Sequence, residues 1–129
     1  MKEYHVKPDI ELYTNRYIYW KNWHRELLEV LDSGNQKKPV VAVEQVISNL
    51  TEMERMLVDE KAAALRVEID KICAIQKEIK KHNITLAKEV GMRRELESID
   101  RKIKRDFSYT KIGESIREEF LQRQESVSQ

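Results

Sequence analysis

Arg93 and Arg94 stand just past Gly91, and Arg101, Lys102, Lys104, Arg105 and Lys111 follow within two dozen residues. Residues of these types at this density can do one kind of chemistry well. An arginine fork bonds the O6/N7 edge of guanine bidentately, and further lysines and arginines neutralise phosphates. The run sits in a basic block. Residues 71–111 carry 12 Lys/Arg against 6 Asp/Glu, whereas residues 1–70 carry 10 against 13 and residues 112–129 carry 2 against 4. The formal net charge of +1 hides this asymmetry, which is the pattern of a localised phosphate-binding face. The competing reading is a solvated helix face laced by i,i+4 pairs, since Glu95, Glu97 and Asp100 interrupt the cations.

Other chemistries find no support. His5, His24 and His82 fall on separate segments without metal-ligand spacing, and the single cysteine, Cys73, cannot complete a zinc site with them. Cys73 lies among Ile72, Ala74 and Ile75, the setting of a small core filler rather than a nucleophile. His24 falls in an apolar stripe, as a structural histidine does. No carboxylate has a context that would bury it and raise its pKa, and "SGN" at 33–35 is a turn rather than a phosphate loop. The chain is therefore read as a non-enzyme with no metal and no cofactor.

The elements that must position the basic residues read as helices throughout. Charged residues make up 36% of the chain, against roughly 25% in ordinary domains, and only 3 Gly and 2 Pro interrupt it. That combination favours helices with one buried stripe and a broad charged face. Pro8 and Asp9 open a helix in which Ile10, Tyr13, Tyr17, Trp20, His24, Leu27 and Leu31 recur at three or four residues. Leu12, Tyr19, Trp23 and Val30 widen its apolar face. "DSGNQKKP" (32–39) is a loop. A short helix is expected over 40–49, then a capping box at Thr51-Glu-Met-Glu54 and a long helix from about 52 to about 81. Leu65, Ile69, Ile72, Ile75 and Ile79 would form that helix's stripe. At roughly 45 Å it would outrun a small core, so a dimer through it or through the aromatic first helix is expected.

Residues 83–107, "NITLAKEVGMRRELESIDRKIKRDF", then pose the central question. A helix-turn-helix needs a small residue at a close crossing, a turn residue tolerant of the left-handed region and apolar positions that lock the pair. Ala87 and Gly91 fit the first two, and Leu86, Val90 and Met92 the third. Leu96, Ile99 and Ile103 each fall one residue off the usual spacing. Residues 83–107 thus read either as a helix-turn-helix with a short turn or as one charged, coiled-coil-like helix with a glycine in it. The first is the expectation.

The order of these pieces resembles the small phage-encoded late transcriptional regulators of the ArpU and RinA type. "VEQVISNLTEMERMLVDEK" (43–61) resembles the helix that precedes their motif, "ITLAKEVGM" (84–92) its first helix, and "DRKIKRDFSYTKIGESI" (100–116) their basic recognition helix. The aromatic "YTNRYIYWKNW" is similar to their tyrosine-rich amino-terminal part. The resemblance implies a sigma-factor-like helix-turn-helix, a promoter as partner and activation of late genes.

The expectations are accordingly an all-α helical bundle with a long central helix and a C-terminal helix-turn-helix-like pair. Residues 1–82 would form the packing and oligomerisation part, 83–121 the basic part and 122–129 a frayed tail. Arg93 and Arg94 would face bases; Arg101, Lys102, Lys104, Arg105 and Lys111 would face phosphates. The partners would be double-stranded promoter DNA and a second copy of the chain. The alternative function is a helical adaptor that binds another protein along its long helix. "MKEYHVKPDIEL" has no apolar h-region and no apolar run reaches ~18 residues, so neither a secretory signal nor a membrane span is expected. A cytoplasmic protein is the expectation.

Overall fold

A computed structural model describes residues 9–112 of the chain. Four helices follow one another: α1 (Asp9–Val30), α2 (Lys37–Met56), α3 (Asp59–Lys80) and α4 (Leu86–Phe107), and there are no strands among the described residues. The all-α expectation holds. The proposed tail, 122–129, lies outside the described residues, as does 113–121 of the basic part.

Side-chain contacts define how the helices run. Glu54 of α2 pairs with Arg66 of α3, and Arg16 of α1 reaches Asn49 of α2 at 3.4 Å. Lys61 of α3 donates to the Asp106 carbonyl of α4 at 3.2 Å. Tyr13, near the start of α1, donates to the Phe107 carbonyl at the end of α4 (2.7 Å), while His24 lies against Leu96. Every neighbouring pair is therefore antiparallel, and α4 closes the bundle against α1.

The aromatic stripe of α1 forms the heart of the core. Tyr13, Tyr17, Trp20, His24, Leu27 and Leu31 are all buried, whereas Ile10 and Tyr19 stay exposed. Leu50, Met53, Leu65, Ile69 and Ile72 meet them with no exposed surface at all. Each such aliphatic side chain contributes roughly 1.5–3 kcal/mol of transfer free energy. The faces expected to make a dimer, aromatic on α1 and aliphatic along 65–72, are thus consumed inside one chain.

The long central helix is absent, because the chain breaks at Leu57 and Val58. Both residues are extended, with ψ near 152° and 158°. Leu57 is fully buried, so the break turns one apolar side chain into the core and lets α3 fold back on α2. Thr51 does not cap. Its hydroxyl donates to the Ile47 carbonyl at 2.8 Å, a back-bond four residues up that lets a threonine stay inside a helix, and α2 runs on to Met56. Glu54 is drawn instead to Arg66. The start of α2 also lies earlier than expected. Asn35 Oδ1 accepts from the Lys37 and Lys38 amides at 2.9 and 3.3 Å, and Pro39 fits the first turn, where no amide donor is required.

The turn expected at Gly91 is likewise absent, and α4 passes through it. Only Gly34 among the described glycines has positive φ, at 82°. A glycine inside a helix costs roughly 1 kcal/mol relative to alanine, which the core contacts of Met92, Leu96, Ile99, Ile103 and Phe107 outweigh. The chain reversal occurs earlier, over 81–85. There His82 takes φ 56° and Thr85 caps α4, its hydroxyl accepting from the Lys88 amide at 3.2 Å. Leu86, Ala87 and Val90 lock no crossing: all three are exposed, Leu86 to 76%. No helix among the described residues is long and apolar enough to cross a membrane.

Candidate nucleic-acid interface

One helix, α4, carries six of the seven basic residues singled out from the sequence, and its packing decides what each can do. The core stripe Met92, Leu96, Ile99, Ile103 and Phe107 fixes the rotation of the helix. The opposite side then carries Arg94, Ser98 and Arg101, all exposed. Arg94 and Arg101 lie seven residues apart, two turns or about 10.5 Å along the axis. Neither makes a hydrogen bond or ion pair with the described residues, so both guanidinium groups keep their five donors for a ligand.

The remaining cations are already engaged. Lys104 pairs with Asp100 at 3.1 Å one turn back. Arg105 reaches both oxygens of Asp106 at 3.0 Å, which raises the Arg105 pKa and holds the Asp106 carboxyl below its usual range. The Lys104, Arg105 and Asp106 side chains are exposed and that of Asp100 is half-buried, and water screens such pairs, so phosphates could displace the carboxylates at little cost. Lys102 leans 3.6 Å from buried Glu68. Lys111 is exposed on the turn after α4.

Arg93 differs from its neighbour in kind. Its Nη1 donates to the Leu28 carbonyl at 2.9 Å, and Nη2 pairs with Glu89 at 3.3 Å and lies 3.9 Å from Asp32. The side chain is only 32% exposed. Leu28 is in the last turn of α1, where carbonyls lack helical partners, so Arg93 caps α1 and ties it to α4. The sequence pair Arg93-Arg94 is split by the helix: one faces α1 and the other faces solvent.

Three features of the structure went unseen in the sequence. The first is a buried relay. The Trp20 indole donates to His24 Nδ1 at 3.1 Å, and His24 Nε2 donates to the Leu96 carbonyl at 2.9 Å. Because Nδ1 accepts, the imidazole is neutral with its proton on Nε2. Burial pushes its pKa down, against a smaller opposing effect of the Leu96 carbonyl. The second is Glu68, 4% exposed; its position three residues after Leu65 was the available signal. The third is Lys88, on the α3 side of α4, 3.7 Å from Glu78. Cys73 is half-buried against the core, and the described residues hold no cluster of three or more metal-ligating side chains. Leu65, Ile69 and Ile72, the stripe expected to meet another protein, are buried inside the bundle.

The sequence matches no family model, no curated protein and no solved structure.

Proposed function

We propose that this helical bundle binds double-stranded DNA along the outer face of α4 and acts as a transcriptional regulator at a promoter. The observation that carries the reading is the pair Arg94 and Arg101: exposed, on one stripe, two turns apart and free of acidic partners. An α-helix fits the major groove, and α4 presents this stripe on the side away from the bundle. Arg94 takes the base-directed role. Arg101, Lys104, Arg105 and Lys111 take phosphates, with Asp100 and Asp106 giving up their cations on binding. Arg93 passes from reader to clamp, and Lys102 is the least free of the set. The resemblance to phage late regulators supplies the class of promoter, phage- or prophage-encoded, and two copies on paired half-sites would follow the usual symmetry of such readers.

Fluorescence anisotropy against mixed-sequence duplex at about 50 and about 200 mM salt tests the reading. Affinity that falls steeply over that range is expected, because each neutralised phosphate contributes roughly −0.9 to the logarithmic slope. Folded protein that leaves the duplex free at the lower salt would end it.

A second reading, an adaptor that binds another protein, has its own observation. Leu86 and Val90, one turn apart at the start of α4, are 76% and 46% exposed. Serine at both positions should leave the bundle's stability within about 0.5 kcal/mol and duplex affinity unchanged. Loss of a protein partner from that variant, with duplex affinity intact, would favour the adaptor.

A further inference from the structure

The outward stripe of α4 has a flank toward each neighbouring helix, and the two flanks carry opposite charge. Arg93, Glu97, Asp100 and Lys104 recur on the side toward α1, fixed there by the bond from Arg93 to the Leu28 carbonyl. Lys21 and Arg25 lie on the same stripe of α1 as Leu28. The cations of this flank meet Glu97, Asp100, Glu89 and Asp32, with exposed Glu11 and Glu29 further out on α1. Carboxylates are in excess.

On the side toward α3, two carboxylates are each shared by two lysines, one from each side of the seam. Lys71 and Lys102 lie 3.5 and 3.6 Å from Glu68 Oε2, and Lys81 and Lys88 lie 2.9 and 3.7 Å from Glu78. Lys61 and Arg105 stand against Glu60 and Asp106 near the end of α4, and Glu95 lies midway. Cations are in excess. The Glu68 side chain is only 5% exposed, whereas those of Lys71 and Lys102 are 38% and 44% exposed. An approaching anion therefore meets the ammonium groups ahead of the carboxylate between them.

We propose that bound DNA lies over the α3–α4 seam, with the phosphates of one strand on Lys71, Lys81, Lys88 and Lys102, and that α1 is left outside the contact. This rests on the DNA reading above; it adds the orientation of the duplex and brings in Lys71, Lys81 and Lys88. A lysine ammonium has three donors, so each can keep its carboxylate and still reach a phosphate oxygen. Glu68 and Glu78 stand ten residues apart, about 15 Å along α3. One strand carries a phosphate every ~3.4 Å of duplex axis, so the two lysine pairs meet different phosphates. Between them the rim of α3 is Ala74, exposed and short, which lets the sugar-phosphate backbone settle against both. The excess carboxylates along α1 repel a strand on that side.

The test acetylates the lysines of the folded full chain, with and without saturating mixed-sequence duplex at about 50 mM salt, read by mass spectrometry. Protection of Lys71, Lys81 and Lys88 is expected, with Lys21 acetylated equally in both samples. The salt dependence of affinity supplies a second readout. Lys71→Gln/Lys88→Gln, one lysine from each pair, should make the logarithmic slope shallower by roughly 1.8, two phosphate contacts' worth. Lys71→Arg/Lys88→Arg should keep the native slope, and so should Lys21→Gln/Arg25→Gln on the opposite flank. A folded chain that leaves the duplex free would end the DNA reading and this orientation together. Duplex binding that protects Lys71 and Lys88 no better than Lys21, or a native slope in Lys71→Gln/Lys88→Gln, would overturn the orientation alone.

Discussion

The two seams that hold α4 are built from different materials. Along α1, three side chains bond to backbone carbonyls of the facing helix: Tyr13 to Phe107, His24 to Leu96 and Arg93 to Leu28, at 2.7–2.9 Å. Along α3, long amines reach across. Lys88 lies 3.7 Å from Glu78, Lys102 lies 3.6 Å from Glu68, and Lys61 donates to the Asp106 carbonyl at 3.2 Å. The first seam is directional and mostly dry. A one-residue slip of α4 would break all three of its bonds and leave buried polar groups orphaned. The second is flexible and partly wet, and its ion pairs can be exchanged for other partners. Register is set on the α1 side, and adaptability is left on the α3 side.

Breaking the dry seam should therefore cost most. His24→Ala leaves the Trp20 indole and the Leu96 carbonyl unpaired beside a small cavity, and a loss of about 2–4 kcal/mol in urea-unfolding stability is expected. The same histidine sets a pH dependence. Its folded-state pKa lies below the value near 6.5 of the unfolded chain, so below that value the unfolded state binds the extra proton. The contribution of His24 is fully present above about pH 6.5 and is lost as pH falls, with a slope approaching about 1.4 kcal/mol per pH unit. Urea titrations between pH 7.5 and 5 check it, and His24→Gln should flatten the profile.

Tyr13→Phe removes one buried hydrogen bond while keeping the ring, for a loss of about 1–1.5 kcal/mol. The Tyr13 hydroxyl, with its pKa pushed well up by burial, should also resist ionisation in a spectroscopic titration to high pH. Arg93→Met should cost about 1 kcal/mol, since part of its interaction is screened by solvent. Lys88→Ala on the wet seam should change stability by less than about 0.5 kcal/mol. If Lys88→Ala cost as much as Tyr13→Phe, the contrast between the seams would collapse.

Much of this arrangement was readable in the sequence. The α1 stripe of Tyr13, Tyr17, Trp20, Leu27 and Leu31 was plain because large apolar side chains at helical spacing have few alternatives to burial. The structural role of His24 followed from its place in that stripe, although its partner Leu96, 72 residues away, did not. Gly91 misled because a helix-interior glycine and a turn glycine look alike locally; only the cumulative packing of α4 decides between them. The decisive clue was the offset itself. Met92, Leu96, Ile99, Ile103 and Phe107 follow one unbroken helical period, which is what a continuous α4 requires. Thr51 shows the same ambiguity, since its hydroxyl can bond forward as a cap or backward inside a helix. The difference between Arg93 and Arg94 depends on where α1 ends beside α4, which no local pattern carries.

The central claim is that Arg94 and Arg101 are the free cations that α4 offers to DNA. The slope of log K against log salt for a mixed-sequence duplex, compared between the native chain and Arg94→Ala/Arg101→Ala, tests it most directly. An unchanged melting temperature is expected, with weaker binding and a slope shallower by roughly 0.9, the worth of the one phosphate contact assigned to Arg101. A native chain that fails to bind at about 50 mM salt, or a double variant with the native slope, would contradict it.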